Sequence, residues 1–252
     1  MKNKLSHKFK IVIVTISNGD AKELFLTLNS IDSQTIQPFE SIVIASNMSN
    51  DNIQMAKQLF AKNNRSFIFN KDTSLYNAMN LGLLNATGNH ILFLNAGDMF
   101  YTQISLEIIN KKIALGKCNS FRIMQSFSDA KYIRPGASKL TNWAHPGFIA
   151  PLSKNVEERL LFDETKKIGA DSIWMTSKIK KYGNKTHLAI ITSFQLGGIS
   201  NSPSIKTTII RLKEKNIVST IKELAKIILF KILQKSLYYR LIAYINSYDL
   251  QK

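Results

Sequence analysis

The chain has 252 residues, 44% of them hydrophobic, with 34 Lys or Arg against 17 Asp or Glu and a formal net charge of +17. That length and apolar content fill the core of one α/β domain with an appendage and exclude global disorder. One cysteine, Cys118, excludes an internal disulfide and a Cys-based zinc site, and no apolar run reaches the 18 residues of a spanning helix. Met1 to Lys10 carries lysines but no apolar stretch ending in a cleavage-type site, so the expectation is a cytoplasmic protein in a reducing compartment. The charge calls for an anionic partner, and nucleic acid, membrane lipid and nucleotide diphosphate all qualify.

Lys10 to Thr15 reads as a buried first strand, followed by Ser17-Asn18-Gly19-Asp20 as a turn and by a helix with Leu24, Leu28 and Ile31 on one face. The loop after this strand would face the crevice beyond the strand ends, and Asn18 in it reads also as a helix cap. Ser41 to Ala45 is a second strand. Its polar loop, Ser46 to Asp51 with Asn47, leads into a helix carrying Ile53, Ala56, Leu59 and Phe60. Ser66 to Asn70 is the third strand and delivers Asp72. Leu75, Met79, Leu83 and Leu84 then recur at helical spacing until Gly88, and Ile91 to Leu94 form a short apolar run that predicts a central buried strand. This strand ends in Asn95-Ala96-Gly97-Asp98, where small residues permit close approach of a phosphate or metal and the carboxylate is a hard oxygen ligand. A plain Gly-Asp turn gives the same letters. Three strand-helix alternations in the first part of the chain argue for a mostly parallel sheet with right-handed crossovers.

Taken together, Asp72, Leu75-Tyr76-Asn77-Ala78-Met79-Asn80, Gly82, Ala86-Thr87-Gly88 and Leu92-Phe93-Leu94-Asn95-Ala96-Gly97-Asp98 resemble the nucleotide-sugar core of the family 2 glycosyltransferases. The likeness is closest to bacterial members that build surface polysaccharides such as lipopolysaccharide or capsule. It implies an A-type fold, a single Rossmann-like, mostly parallel sheet flanked by helices, over residues 1–202. It also implies an inverting, metal-assisted transfer of a sugar from a nucleotide-diphosphate donor to a glycan or lipid-linked oligosaccharide acceptor. Asp98 corresponds to the residue that binds Mn²⁺ or Mg²⁺ on the donor diphosphate. Asp72, Asn80 and Asn95 fall in the donor pocket, with Thr15, Asn18 and Asn47 near the nucleoside. Several positions depart from the family pattern. Ala45 replaces an Asp that meets the nucleoside, Ser74 a Gly, Asn77 an Asp, and Asn95 an acidic residue, which leaves Asp98 to carry most of the metal affinity.

Gln103 to Leu115 predicts a helix and Lys117 to Phe127 a strand, in which Cys118 is a core filler. Lys131 to Gly136, with Arg134, opens a long loop that ends at Trp143-Ala144-His145-Pro146-Gly147. The resemblance sets His145 beside the acceptor and diphosphate, where the family often has His-Gln, whereas a His before Pro is otherwise a turn residue; Arg134 is a second contributor by position. Asp171 precedes a helix begun by Ile173 and Trp174, where a carboxylate favours the helix dipole; the resemblance makes it the general base. Asp163 and Glu164 form a solvated acidic turn or line the acceptor groove. His187 to Thr192 predicts the last strand, and Phe194 to Ser200 brings a Gly-Gly pair that forms a tight turn or approaches an anion.

Residues 203–252 hold ten Lys or Arg against three acidic residues, and apolar residues from Ile217 to Leu233 recur at helical spacing. Two readings stand: a helix capping the domain, or a basic amphipathic helix lying on the inner face of an anionic membrane with Tyr238, Tyr239 and Tyr244 at the headgroups. Three function classes follow: the transferase, a catalytically silent membrane-associated partner of another transferase, and a nucleic-acid-binding protein. The last has no recognised motif or basic-aromatic pattern behind it, so no nucleic acid partner is expected. A homodimer through the C-terminal helices is compatible with the pattern.

Overall fold

The computed structural model describes residues 9–19, 21–70, 74–127, 130–134, 144–195, 209, 217–234 and 237–241. Its core is a nine-stranded sheet in the order β3-β2-β1-β4-β8-β6-β9-β5, with β7 paired to β6. The strands are β1 (Ile11–Asn18), β2 (Glu40–Ser46), β3 (Arg65–Asn70), β4 (His90–Phe93), β5 (Met99–Phe100), β6 (Cys118–Phe127), β7 (Ala130–Arg134), β8 (Phe148–Pro151) and β9 (Asn184–Gln195). The helices are α1 (Ala21–Asp32), α2 (Asn50–Leu59), α3 (Leu75–Asn85), α4 (Ser105–Lys112), α5 (Ala170–Tyr182) and α6 (Ile217–Ile232).

Strands β3, β2, β1 and β4 are mutually parallel, as the strand-helix alternation predicts. Beyond β4 the sheet becomes mixed: β8 runs antiparallel to both β4 and β6, and β6 runs parallel to β9. Short β5, only a few residues after β4 in the chain, pairs antiparallel with β9 at the far end of the strand order.

The period of 2 in β1 divides the core. Val12, Val14 and Ile16 pack with Met79 and Leu83 of α3 and Trp174 and Met175 of α5, whereas Ile11 and Ile13 pack with Leu24, Leu28 and Ile31 of α1 and Leu106 and Ile109 of α4. Both sheet faces are therefore covered, which is why the central strands read as unbroken apolar runs. Helix α3 starts at Ser74, whose side chain accepts from the backbone N–H of Asn77. Gly82 lets it lie on β1, because a Cβ there would collide with the stiff Val14 side chain.

Three buried cations join elements. Arg65 forms a two-pronged pair with Asp32, at 2.7 and 3.2 Å, that ties β3 to the end of α1. Arg159 donates to the Leu83 carbonyl and, at 3.0 Å, to that of Ser153, capping α3. Lys178 of α5, 1% exposed, donates to the Pro151 carbonyl at the end of β8 at 3.0 Å and lies over the Trp174 ring; burial lowers its pKa to about 8. Cys118 is buried, and desolvation pushes its thiol up to about 12, so it is a core residue as expected.

Two expectations are corrected here. Strand β1 does not end at Thr15: Ile16, Ser17 and Asn18 continue its pairing with Ile44, Ala45 and Ser46, so Thr15 is mid-strand with no exposed surface and cannot meet a donor as placed. Tyr238 and Tyr239 are 1% exposed and pack with Phe194, Leu229, Phe230 and Leu233, which removes them from any headgroup layer. Tyr244 and the boundary at 202/203 lie outside the described residues.

His90, 2% exposed at the start of β4, keeps its Nδ1 at 2.9 Å from the Asn89 side-chain oxygen, and burial lowers its pKa to about 4. The unfolded chain binds this proton near pH 6.5 and the folded chain does not, so stability falls as pH drops from about 6.5 towards 4, by up to about 3 kcal/mol. Urea denaturation between these pH values is expected to show a shallower acid slope in His90→Gln than in wild type.

Candidate active site

The carboxyl ends of β1, β2 and β4 share one edge of the parallel half, where an open α/β sheet receives ligands. At this edge Asn47, which has a φ of 53°, donates from Nδ2 to Asn18 Oδ1 at 2.8 Å. Two of the three residues expected near the nucleoside, Asn18 and Asn47, are thus brought together.

After β4 the chain stays pinned to β1, with Leu94 N–H on the Val14 carbonyl and Ala96 N–H on the Ile16 carbonyl. It then turns through Gly97, whose φ of +92° suits only glycine without strain, and Asp98 N–H closes the turn on the Asn95 carbonyl. The turn is held from below by Thr27 of α1, which is fully buried. Its hydroxyl donates to the Asp98 carbonyl at 2.7 Å and accepts from Gly97 N–H at 3.0 Å. Sequence reading did not single out Thr27. Its only sign is a hydroxyl on the apolar face of an amphipathic helix, between Leu24 and Leu28.

With the backbone of the turn satisfied, the Asn95 and Asp98 side chains are left for the site. Asp98 is 5% exposed, and burial raises its pKa against the lowering effect of His145. Neither Asn95 Oδ1 nor Asp98 Oδ2 has a well-formed hydrogen bond among the described residues. The imidazole of His145 stands over them, Nε2 at 3.1 Å from Asn95 Nδ2 and 3.5 Å from Asp98 Oδ2. Its other nitrogen, Nδ1, is 4.0 Å from Asp171 Oδ2. One ring therefore bridges the carboxylate at the end of β4 and the carboxylate at the start of α5.

His145 opens a one-turn 3-10 segment (His145–Gly147) leading into β8, and the Thr192 hydroxyl of β9 fixes that turn by donating to the Pro146 carbonyl at 2.9 Å. Asp171 lies in the first turn of α5, behind Gly169 at φ +83°. Tyr76 of α3 holds it in place: the buried phenol accepts from Ala170 N–H at 3.2 Å and donates to Asp171 Oδ1 at 3.4 Å. Burial and the Asp171 charge raise the phenol's pKa, which keeps it a donor. Tyr76 belongs to the sequence motif, but nothing local in the sequence marks this role.

Asn80 is a correction. Its Oδ1 accepts from Phe162 N–H at 2.8 Å, and its Nδ2 donates to the Phe162 carbonyl at 3.0 Å and to Glu164 Oε1 at 2.7 Å, so both ends of the amide clamp the 160s segment rather than a donor. Asn77 donates to Glu164 Oε2 at 2.9 Å, and these two amides lower the Glu164 pKa. Glu164 is therefore a carboxylate fixed against α3, while Asp163 accepts from Thr165 within its own turn. Asp72 and the Gly-Gly stretch of 194–200 from Leu196 on lie outside the described residues. The backbone of Arg134 ends β7, paired with Ile123.

Among the described residues no three of His, Cys, Asp and Glu stand together as a metal site. The residues present fit a hard cation that brings the rest of its ligands with a diphosphate: one buried carboxylate oxygen and one amide oxygen, neither with a well-formed hydrogen bond among the described residues, at one turn.

A parallel α/β half with polar strand ends, joined to a mixed half that returns a His and an Asp to the same edge, is the architecture of the nucleotide-sugar transferases. The chain belongs to glycosyl transferase family 2, whose family model matches residues 11–174. Among curated proteins it is similar to the PGL/p-HBAD biosynthesis glycosyltransferases of Mycobacterium bovis and Mycobacterium tuberculosis, at 35% identity over 96 residues. That match covers 37% of this chain and 36% of those relatives, so it spans little more than a third of their length. Among solved structures, S. aureus TarS 1-349 matches with a TM-score of 0.61 at 14% identity, over 74% of this chain and 60% of that one. Mannosyltransferase PcManGT from Pyrobaculum calidifontis, in complex with GDP-Man and Mn²⁺, matches with a TM-score of 0.59 at 12% identity, over 82% and 61%. These two likenesses carry the fold.

Removing the Thr27 hydroxyl tests the support beneath Asp98. Thr27→Val is expected to fold, to lose about 1–3 kcal/mol in denaturant titration, and to bind nucleotide diphosphates more weakly. Unchanged affinity with lowered stability would separate Thr27 from the site.

Proposed function

We propose that the protein is an inverting transferase that moves a sugar from a nucleotide-diphosphate donor to a glycan acceptor in the synthesis of a bacterial surface polysaccharide. The observation that carries this reading is the single imidazole of His145 between Asp98 and Asp171. Family membership and the neighbours described with UDP-GlcNAc and with GDP-Man support the donor class.

In this reading Asp171, its side chain 32% exposed, is the general base. Its Oδ2 takes the proton of an acceptor hydroxyl as that oxygen bonds to the anomeric carbon. The anomeric bond to the diphosphate breaks from the opposite side, and its electron pair leaves with the nucleoside diphosphate. Tyr76 holds Oδ1, which leaves Oδ2 directed to the crevice. Asp98 and Asn95 would hold a divalent cation, Mg²⁺ or Mn²⁺, which would supply positive charge to the departing diphosphate. His145 donates to a leaving-group oxygen, and Arg134 is a second cation for the same role by its position in the chain. Asn18 and Asn47 take the nucleoside side. Asp72 belongs to the donor pocket by family position.

A second reading, donor binding without turnover, is favoured by Asn95 standing where an acidic residue would strengthen cation binding.

Calorimetry with UDP, GDP, CDP and their common sugars, with and without Mn²⁺, separates the two readings. Metal-dependent binding of one nucleotide that disappears in Asp98→Ala is expected. Asp171→Asn is expected to keep that binding and to lose about 10²–10⁴-fold in transfer rate. Transfer that survives both substitutions would overturn the site, and tight binding without transfer to any acceptor pool would leave the second reading.

A further inference from the structure

We propose that the outward apolar face of α6 docks the protein in the plane of an anionic membrane. Helix α6 has two apolar faces with different fates. Leu229, Phe230 and, just beyond its end, Leu233 pack with Tyr238, Tyr239 and Phe194 of β9, which attaches the helix to the catalytic sheet. A helix that merely capped the domain would need that face alone.

Among the described residues the other face has no such cover. Ile221, Leu224, Ile228 and Ile232 are 61, 48, 57 and 73% exposed. Their spacings of three, four and four residues align them in one stripe about 17 Å long. Leu237, also exposed, follows in the next helical stretch. Apolar side chains exposed in a row, rather than singly, mark a surface that meets something.

Charge selects the occupant. Residues 203–252 carry ten Lys or Arg against three acidic residues, in a chain of net +17. A second copy of the chain would set this excess against itself. An anionic bilayer offers the opposite charge at its surface and an apolar layer just beneath it, which suits a stripe of isoleucine and leucine on a basic segment. Among the described residues no helix is long and apolar enough to cross a membrane, so the geometry is that of a helix lying in the interface. Tyr238 and Tyr239 serve on the inner side of this arrangement, as the packing that joins α6 to β9.

The test is sedimentation of the full chain with vesicles of phosphatidylcholine alone and of phosphatidylcholine mixed with phosphatidylglycerol. Binding to the mixed vesicles, weakened by salt, is expected. The double variant Leu224→Asp, Ile228→Asp alters only exposed side chains and is expected to lower vesicle partition about tenfold or more, with nucleotide binding unchanged. Equal partition of variant and wild type, or no partition of either, would overturn the proposal. So would a wild-type dimer, seen by light scattering without lipid and lost in the variant, which would make a second copy the occupant. Vesicle binding needs no donor, so this result stands apart from the fate of the transferase reading.

Discussion

A single buried hydroxyl, that of Thr27, decides where the catalytic edge can place its charge. By joining the Asp98 carbonyl and the Gly97 N–H from inside the molecule, it satisfies the backbone of the turn without drawing on either polar side chain. Asn95 Oδ1 and Asp98 Oδ2 can then be buried without good partners, a costly arrangement that persists only where the surrounding structure holds it. On the opposite side of the crevice Tyr76 acts on the side chain itself, joining the Ala170 N–H to the Asp171 carboxylate. Each carboxylate thus stands on a hydroxyl supplied by a different helix, α1 below one and α3 beside the other.

The two sides differ in how they are carried. Asp98 belongs to the parallel half, which is built from neighbouring βα units. His145 and Asp171 belong to the later half, and Lys178 couples them: from α5 its ammonium grips the last carbonyl of β8, the strand that His145 leads into. His145 and the helix that carries Asp171 are therefore tied to each other through β8. Trp174, T-shaped against Phe93 of β4 and stacked on Phe162, sets the spacing between the two sides.

What the sequence revealed follows from the range of the interactions involved. The α3–β4 passage was legible because the change from helical period to an apolar run is local. Thr15 was misplaced because nothing local marks where β1 stops: the pairing of Ile16 to Asn18 with β2 depends on residues almost thirty positions away. Asn80 looked like a donor ligand because its real partner, Phe162, is 82 residues distant. Strands β7 and β8 escaped for the same reason, their pairing being set by β4 and β6. Tyr238 and Tyr239 were misread because an amphipathic pattern names an apolar face without naming what covers it. His145 and Asp171 were named through family resemblance, and only the fold brings them to one ring.

The placement of β5 has a consequence for the shape of the crevice. In chain order it follows β4 after Leu94 to Asp98, yet in the sheet it lies beyond β8, β6 and β9. Four strand spacings across a flat sheet amount to about 19 Å, and six peptide steps reach about 21 Å only when fully extended. The segment is not extended, since it turns at Gly97. The sheet must therefore curl until its far edge comes back towards β4, and the segment from Asn95 to Asp98 is the chord that closes the arc. The number of residues in that chord caps how far the distant edge can stand from β4, a limit on the curvature of the crevice that is independent of the side chains that give it its chemistry.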